Sequence, residues 1–184
     1  MSKKILVLTG SPRRDGNSDT LAKAFKSGAE KAGAEVQIVN TSTLKISACI
    51  ACDKCWEKDA PCIFKDDMEK IYPLLEWADM FVLAFPLYYY TIPTQLKVVL
   101  DRFYPFEFQK TEVTKGKDAS MLVCAGTDDQ KEFEGLVSTY KIICNYMNWN
   151  DIGMICADSL NAKDDILNTD WLKQAEILGE KAGL

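Results

Sequence analysis

The chain has 184 residues, seven cysteines and no histidine, so no Ser-His-Asp triad, Cys-His dyad or His-ligated metal site can be built from it. The net charge of −5 supplies no basic surplus for neutralising phosphates, which argues against a nucleic-acid partner. With 47% hydrophobic and 27% charged residues the composition is that of one globular domain spanning residues 1–184.

Ile5 to Leu8 is a continuous apolar run closed by Thr9-Gly10, the pattern of a strand buried on both faces. It is too short for a signal-peptide core. Asn17 or Ser18 is placed to cap a helix with an apolar face of Leu21, Phe25, Ala29 and Ala32 and a stop at Gly33. Val36 and Ile38 alternate with polar neighbours, as in a half-exposed edge strand. Residues 41–65 form a long connection that is Cys-rich from about 45 onward. Asp66 or Asp67 then caps a helix carrying Met68, Ile71, Tyr72, Leu75 and Ala78.

Met80 to Phe85 is the most apolar strand; the apolar segment continues to Tyr90, is broken by Pro86, and is about half a membrane span. Pro93 suits the first turn of a helix bearing Leu96, Val99, Leu100 and Phe103. Ser120 to Cys124 is a fourth strand, and Leu136, Tyr140, Ile143, Cys144 and Met147 stripe the next helix. Ile152 to Ala157 is a fifth strand, and Trp171, Ala175, Leu178 and Ala182 mark the last helix. Cys124, Cys144 and Cys156 read as buried small hydrophobes, and Trp149 and Trp171 as core residues. Strands alternating with helices predict an α/β fold with a doubly wound parallel sheet. Ligands of such sheets bind beyond the carboxyl ends of the strands, at the topological switch point. That singles out residues 10–18, 86–92 and 125–130.

The first of these loops, Gly10-Ser11-Pro12-Arg13-Arg14-Asp15-Gly16-Asn17-Ser18, follows a buried strand and opens a helix. Helix N-terminal N–H groups with Ser, Asn and Arg side chains suit a phosphate, although neither a Walker A loop nor G-x-G-x-x-G is present. The second carries Tyr88, Tyr89 and Tyr90 in succession. Aromatic faces with polar tips there serve either to stack on a planar ligand or to pack on a helix or second subunit. Ala125-Gly126-Thr127-Asp128-Asp129 is a small Gly turn with open backbone groups.

Together, strand-GSPR-x-x-GNS-helix, strand-Pro-Leu-Tyr, and Lys97 followed by Leu100-Asp101-Arg102 resemble the flavodoxin-like NAD(P)H-dependent FMN reductases, and within them the iron–sulfur flavoprotein branch. The resemblance runs over essentially the whole chain. It implies a five-stranded flavodoxin-like sheet in the order 2-1-3-4-5, and an FMN cofactor reduced by NAD(P)H that serves a small-molecule acceptor or redox protein. It implies FMN phosphate contacts from Ser11, Arg13, Asn17 and Ser18, and isoalloxazine contacts from Pro86, Leu87, Tyr88, Tyr89, Ala125, Gly126 and Thr127. It also implies a homodimer or homotetramer, with the Lys97–Arg102 region near the subunit interface; on spacing alone Lys97, Asp101 and Arg102 pair locally along a helix. Hydride transfer between cofactors requires no side-chain acid or base, so no catalytic residue is assigned and its identity is unknown from sequence. A cytoplasmic protein without a membrane segment is expected.

Cys49, Cys52 and Cys55 are spaced by two residues each, and Cys62 follows after six more. The run resembles a ferredoxin cluster motif, and the family branch implies a [4Fe–4S] cluster. Three outcomes stay open at this stage: a cluster, zinc, or free thiols or a disulfide. Asp53, Glu57, Asp59, Asp66 and Asp67 surround the thiols and work against a dianionic thiolate cluster.

Overall fold

The computed structural model describes residues 2–57, 61–107 and 113–184. Five strands, β1 (Lys4–Thr9), β2 (Glu35–Asn40), β3 (Met80–Pro86), β4 (Asp118–Cys124) and β5 (Asn150–Ala157), form one sheet in the order β2-β1-β3-β4-β5. Every neighbouring pair is parallel. This is the expected flavodoxin-like arrangement. β1 and β3 lie inside the sheet with covers on both faces, which is why they are continuous apolar runs. β2 is an edge strand and is mostly half-exposed, matching the alternation of its sequence.

The helices are α1 (Asn17–Lys31), α2 (Tyr72–Trp77), α3 (Thr94–Asp101), α4 (Glu134–Met147) and α5 (Trp171–Gly183). One core packs Leu21, Phe25 and Ala29 of α1 and Ala175 and Ala182 of α5 against Ile5, Val7 and Val82. The other packs α2, α3 and α4 against Leu6, Phe81, Leu83 and Met121. Glycines allow α1 and α5 to touch through their backbones. A Cβ on Gly28 would collide with the Glu176 carbonyl, and one on Gly179 with the Phe25 carbonyl.

Several local expectations are corrected. The cap position of α1 is Gly16, not Asn17 or Ser18, and no side chain caps the helix. Asn17 instead donates from Nδ2 to the Ala162 carbonyl at 2.9 Å and accepts from Ile166 N at 3.5 Å. The helix expected after Asp66 is two pieces, a 3-10 turn over Asp67–Lys70 and α2, because Pro73 in the first turn of α2 has no N–H to continue a ladder. Asp66 does cap the first piece, accepting from Met68 N at 3.1 Å. Pro93 occupies the cap position of α3 rather than its first turn. Trp149 is buried and donates to the Thr114 carbonyl at 2.6 Å, whereas Trp171 and Cys156 are only half-buried. Among the described residues no helix is long and apolar enough to cross a membrane.

Candidate functional site

The carboxyl ends of β1, β3 and β4 lie side by side, so the three loops that leave them share one rim. β1 runs into Gly10, whose N–H donates to the Ala84 carbonyl at 3.0 Å and whose bare Cα sits where a Cβ would press on Leu96 and Pro93 at 3.0 Å each. The chain then folds back on itself. Ser11 Oγ, buried, accepts from Arg13 N at 3.1 Å, and Gly16 N donates to the Arg13 carbonyl at 3.2 Å. The β2 end braces the loop from below, with Asn40 Nδ2 and Ser42 Oγ donating to the Ser11 carbonyl at 3.3 and 2.9 Å. Half-buried Asp19 accepts from Asp15 N at 3.2 Å; burial raises its carboxyl above the usual range, partly offset by that hydrogen bond. With glycine at the cap, the N-terminal end of α1 meets the loop without a side chain across its first N–H groups, an arrangement that favours an anion.

The β3 loop extends the sheet by one bond, Leu87 N to the Cys124 carbonyl at 2.8 Å, and then reverses. Tyr88 N donates to the Thr91 carbonyl at 3.3 Å and Thr91 N to the Tyr88 carbonyl at 3.1 Å. Between them Tyr89 and Tyr90 have φ of +45° and +62°. Two positive φ values in a two-residue hairpin define the type I′ turn, which normally takes Asn-Gly. The β4 loop is held by the one after β5. Ala125 N donates to the Ala157 carbonyl and Leu160 N to the Ala125 carbonyl, each at 2.9 Å, and Thr127 Oγ1 accepts from Asp129 N at 3.0 Å.

These loops enclose a cleft of about 130 Å³. One end is lined by Ser11, Arg13, Gly16, Asn17 and Ser18, and the other by Pro86, Leu87, Tyr88, Cys124, Ala125 and Gly126, with Leu160 beside them. Nine of the eleven residues singled out from the sequence thus share one cavity. Tyr89 and Thr127 do not line it: Tyr89 is 97% exposed at the hairpin tip, and Thr127 is occupied with its own turn. Gly16, Cys124 and Leu160 were not anticipated. The first lies inside the loop after β1, the second is the last residue of β4, and the third comes from the β5 loop, which no motif marks. Burial pushes the Cys124 thiol up to about 12, so it stays protonated at neutral pH.

A second, smaller cavity of about 20 Å³ collects Cys49, Cys52, Cys55 and Cys62 with Arg102 and Tyr104. Burial raises the Cys55 thiol, and the neighbouring Cys62, Cys52 and Cys49 add to the effect. Among the described residues no three Cys, Asp or Glu side chains converge on a single ion position. The surrounding acids are largely committed. Asp66 pairs with Arg102 at 2.8 Å, Asp67 accepts from Lys45 N at 2.8 Å, and Asp53 accepts from Tyr104 Oη at 3.2 Å; Asp59 lies outside the described residues. Lys97 and Asp101 do form the local helical pair, but Arg102 does not join them; it reaches back 36 residues to Asp66.

Relatives sharpen the picture. An iron-sulfur flavoprotein of Archaeoglobus fulgidus is 32% identical over 184 residues, covering 97% of this chain and 78% of that protein. An iron-sulfur flavoprotein of Methanocaldococcus jannaschii is 36% identical over 125 residues, covering 68% of this chain and 62% of that protein, so the match spans less than two thirds of the second relative. The solved NAD(P)H:quinone oxidoreductase from Methanothermobacter marburgensis has the same fold, with a TM-score of 0.75 over 98% of each chain at 18% identity. The NADPH-dependent FMN reductase family matches residues 3–152. With that match and the alignment to the Archaeoglobus protein, the chain belongs to the NADPH-dependent FMN reductase family.

Proposed function

We propose that this protein is an FMN-dependent NAD(P)H oxidoreductase that hands electrons to a small acceptor of the quinone class. The observation that carries the proposal is the two-ended cleft at the β1, β3 and β4 edge. Its hydroxyl-, amide- and guanidinium-bearing end at the α1 N-terminus fits a phosphate, and its Pro86, Leu87 and Tyr88 end fits a planar ring. FMN bound there would supply hydride acceptance from a nicotinamide and electron release to the acceptor. Ser11, Arg13, Asn17 and Ser18 would hold the phosphate. Pro86, Leu87, Tyr88, Ala125 and Gly126 would fix the ring and shield one side of it from water. Asn17 would act mainly through position, since both ends of its amide are tied to the loop after β5. Cys124, protonated, would present a neutral wall rather than a nucleophile.

The test is a fluorescence titration of the purified chain with FMN, followed by anaerobic addition of NADH or NADPH and then of a quinone. Saturable flavin binding, bleaching of the flavin absorbance and its return with quinone are expected. A chain with no affinity for FMN overturns the proposal.

A second reading is an iron–sulfur flavoprotein that carries electrons without direct reduction by NAD(P)H. It is favoured by the convergence of all four cysteines on one cavity. Four thiolates without histidine suit an iron–sulfur cluster, whose ligand sulfurs surround several irons rather than one ion. Cys49, Cys52, Cys55 and Cys62 would hold it, and the cluster would supply one-electron transfer. It predicts bound FMN that NAD(P)H leaves oxidised, together with iron in the anaerobically prepared protein.

A further inference from the structure

The four-cysteine cavity contains a buried cation. Arg102, the cap residue just after α3, is 1% exposed. Its Nη1 donates to the Ser47 carbonyl and to Asp66 Oδ2, each at 2.8 Å. Its Nη2 donates to Tyr72 Oη at 3.1 Å and reaches Asp66 Oδ1 at 3.4 Å. The Phe64 ring lies 5.4 Å from Cζ, covering the guanidinium. One donor is left over: Nε–H is buried and has no hydrogen-bond partner among the described residues. Cys62 lines the same cavity as Arg102.

A surface lysine or arginine would satisfy the needs of a loop staple more cheaply. Taking a guanidinium out of water requires a compensating anion, and buried N–H groups are nearly always paired. Asp66 compensates the formal charge. It does not satisfy Nε–H, and Arg102 lines the same cavity as the four thiols. Four thiolates around a [4Fe–4S] core carry a net negative charge and present sulfur acceptors. Hydrogen bonds to cluster sulfurs are among the features that set reduction potential.

The geometry points to Arg102 as a positioning residue for a thiolate-held [4Fe–4S] cluster, with Nε–H donating to a sulfur and the guanidinium charge favouring the reduced form. This inference rests on the iron–sulfur reading above. Asp66 serves the same end by holding the guanidinium in place and by tying Ser47 N, at 3.0 Å, to the other end of the cysteine segment.

The test compares the wild-type chain with Arg102→Lys and with the charge-balanced pair Arg102→Gln/Asp66→Asn, each reconstituted anaerobically with ferrous iron and sulfide. Iron content, the cluster midpoint potential, FMN binding and circular dichroism are measured on each. Wild type should load iron. A loaded variant should show a more negative cluster potential while FMN affinity is unchanged. If the variants load and their potentials equal that of wild type, Arg102 is only a staple and the assignment is overturned. A folded, FMN-binding variant that takes up no iron is resolved by limited proteolysis of the apo-protein. Wild-type protection of the 47–66 segment then supports a direct role, and faster cleavage there overturns it. Should Arg102→Lys lose its dichroism, the charge-balanced pair decides. Failure of the wild-type chain itself to load iron, with FMN still bound, refutes the cluster reading and the role of Arg102 with it, an outcome distinct from any seen only in the variants.

Discussion

The Tyr89–Tyr90 turn makes a quantitative prediction. Both residues sit in the left-handed region, where a side chain with a Cβ costs about 1–2 kcal/mol per residue. Neither recovers much by packing, since Tyr89 is 97% and Tyr90 59% exposed. The double substitution Tyr89→Asn/Tyr90→Gly installs the pair preferred by a type I′ turn without touching the Tyr88–Thr91 hydrogen bonds. Glycine returns about 0.5–1 kcal/mol to the unfolded chain as entropy. The net expectation is a gain of about 1–2 kcal/mol, which for a chain of this length raises Tm by roughly 2–8 °C. Thermal melts followed by dichroism in the absence of flavin measure this directly. A Tm equal to or below wild type refutes the strain argument. Strain of this kind persists where it serves a site. The same variant should therefore bind FMN or its nicotinamide donor more weakly, and retention of both affinities would leave the strain without a functional purpose.

Other substitutions address the core, the cleft and the cysteine segment. Gly28→Ala drives a methyl into the Glu176 carbonyl across the α1–α5 contact and should cost about 1–3 kcal/mol or more, read from the urea midpoint; a neutral result would mean the helices can slide apart. Arg13→Ala should weaken FMN binding by about 1.5–3 kcal/mol through loss of a charge-assisted bond to the phosphate, and an unchanged affinity removes Arg13 from the phosphate site. Asp66→Asn strands a buried guanidinium and should cost about 3–5 kcal/mol. Burial acts to raise the Asp66 carboxyl, but hydrogen bonds from Arg102, Ser47 N and Met68 N outweigh it and hold the group below its usual value. Its stabilisation is therefore complete above about pH 4–5, the range of an unfolded carboxylate, and is lost as pH falls through the lowered native value. An acid melt of Asp66→Asn should show a shallower loss of stability below about pH 4 than wild type; parallel curves would contradict the linkage.

The strands and the switch-point loops were legible because they depend on local pattern. Ile5–Leu8 and Met80–Phe85 are apolar runs whose only solution is burial on both faces, and a parallel sheet then brings the loops after β1, β3 and β4 to one edge. What could not be read locally depends on tertiary partners. Asn17 is a good cap by type, yet the loop after β5 claims its amide and leaves the cap to Gly16. Leu160 enters the cleft only because β5 pairs with β4 and carries its following loop alongside Ala125. The family resemblance implies ring contacts from both Tyr88 and Tyr89, but a two-residue hairpin turns adjacent side chains in different directions, and of the two Tyr88 lines the cleft.

Arg102 shows the same limit from the side of charge. In sequence it follows Lys97 and Asp101 on one helix, so the i,i+4 rule accounts for Lys97 and Asp101 and takes in their neighbour with them. α3 ends at Asp101, however, and the chain turns Arg102 inward under the cysteine segment. The carboxylates near the thiols then have a different meaning. In the sequence they weighed against an anionic cluster; in the structure Asp66 is neutralised, Asp67 is bound to backbone and Lys70, and Asp53 is held by Tyr104. The lack of histidine narrows the chemistry of that cavity to sulfur and oxygen donors, and among the described residues Arg102 supplies the one buried positive charge lining it. A cation that lines one cavity with four thiols and has a donor to spare suits a sulfur-ligated anion, and for that reason the potential of a loaded protein, rather than its stability, discriminates between a staple and the proposed tuning role.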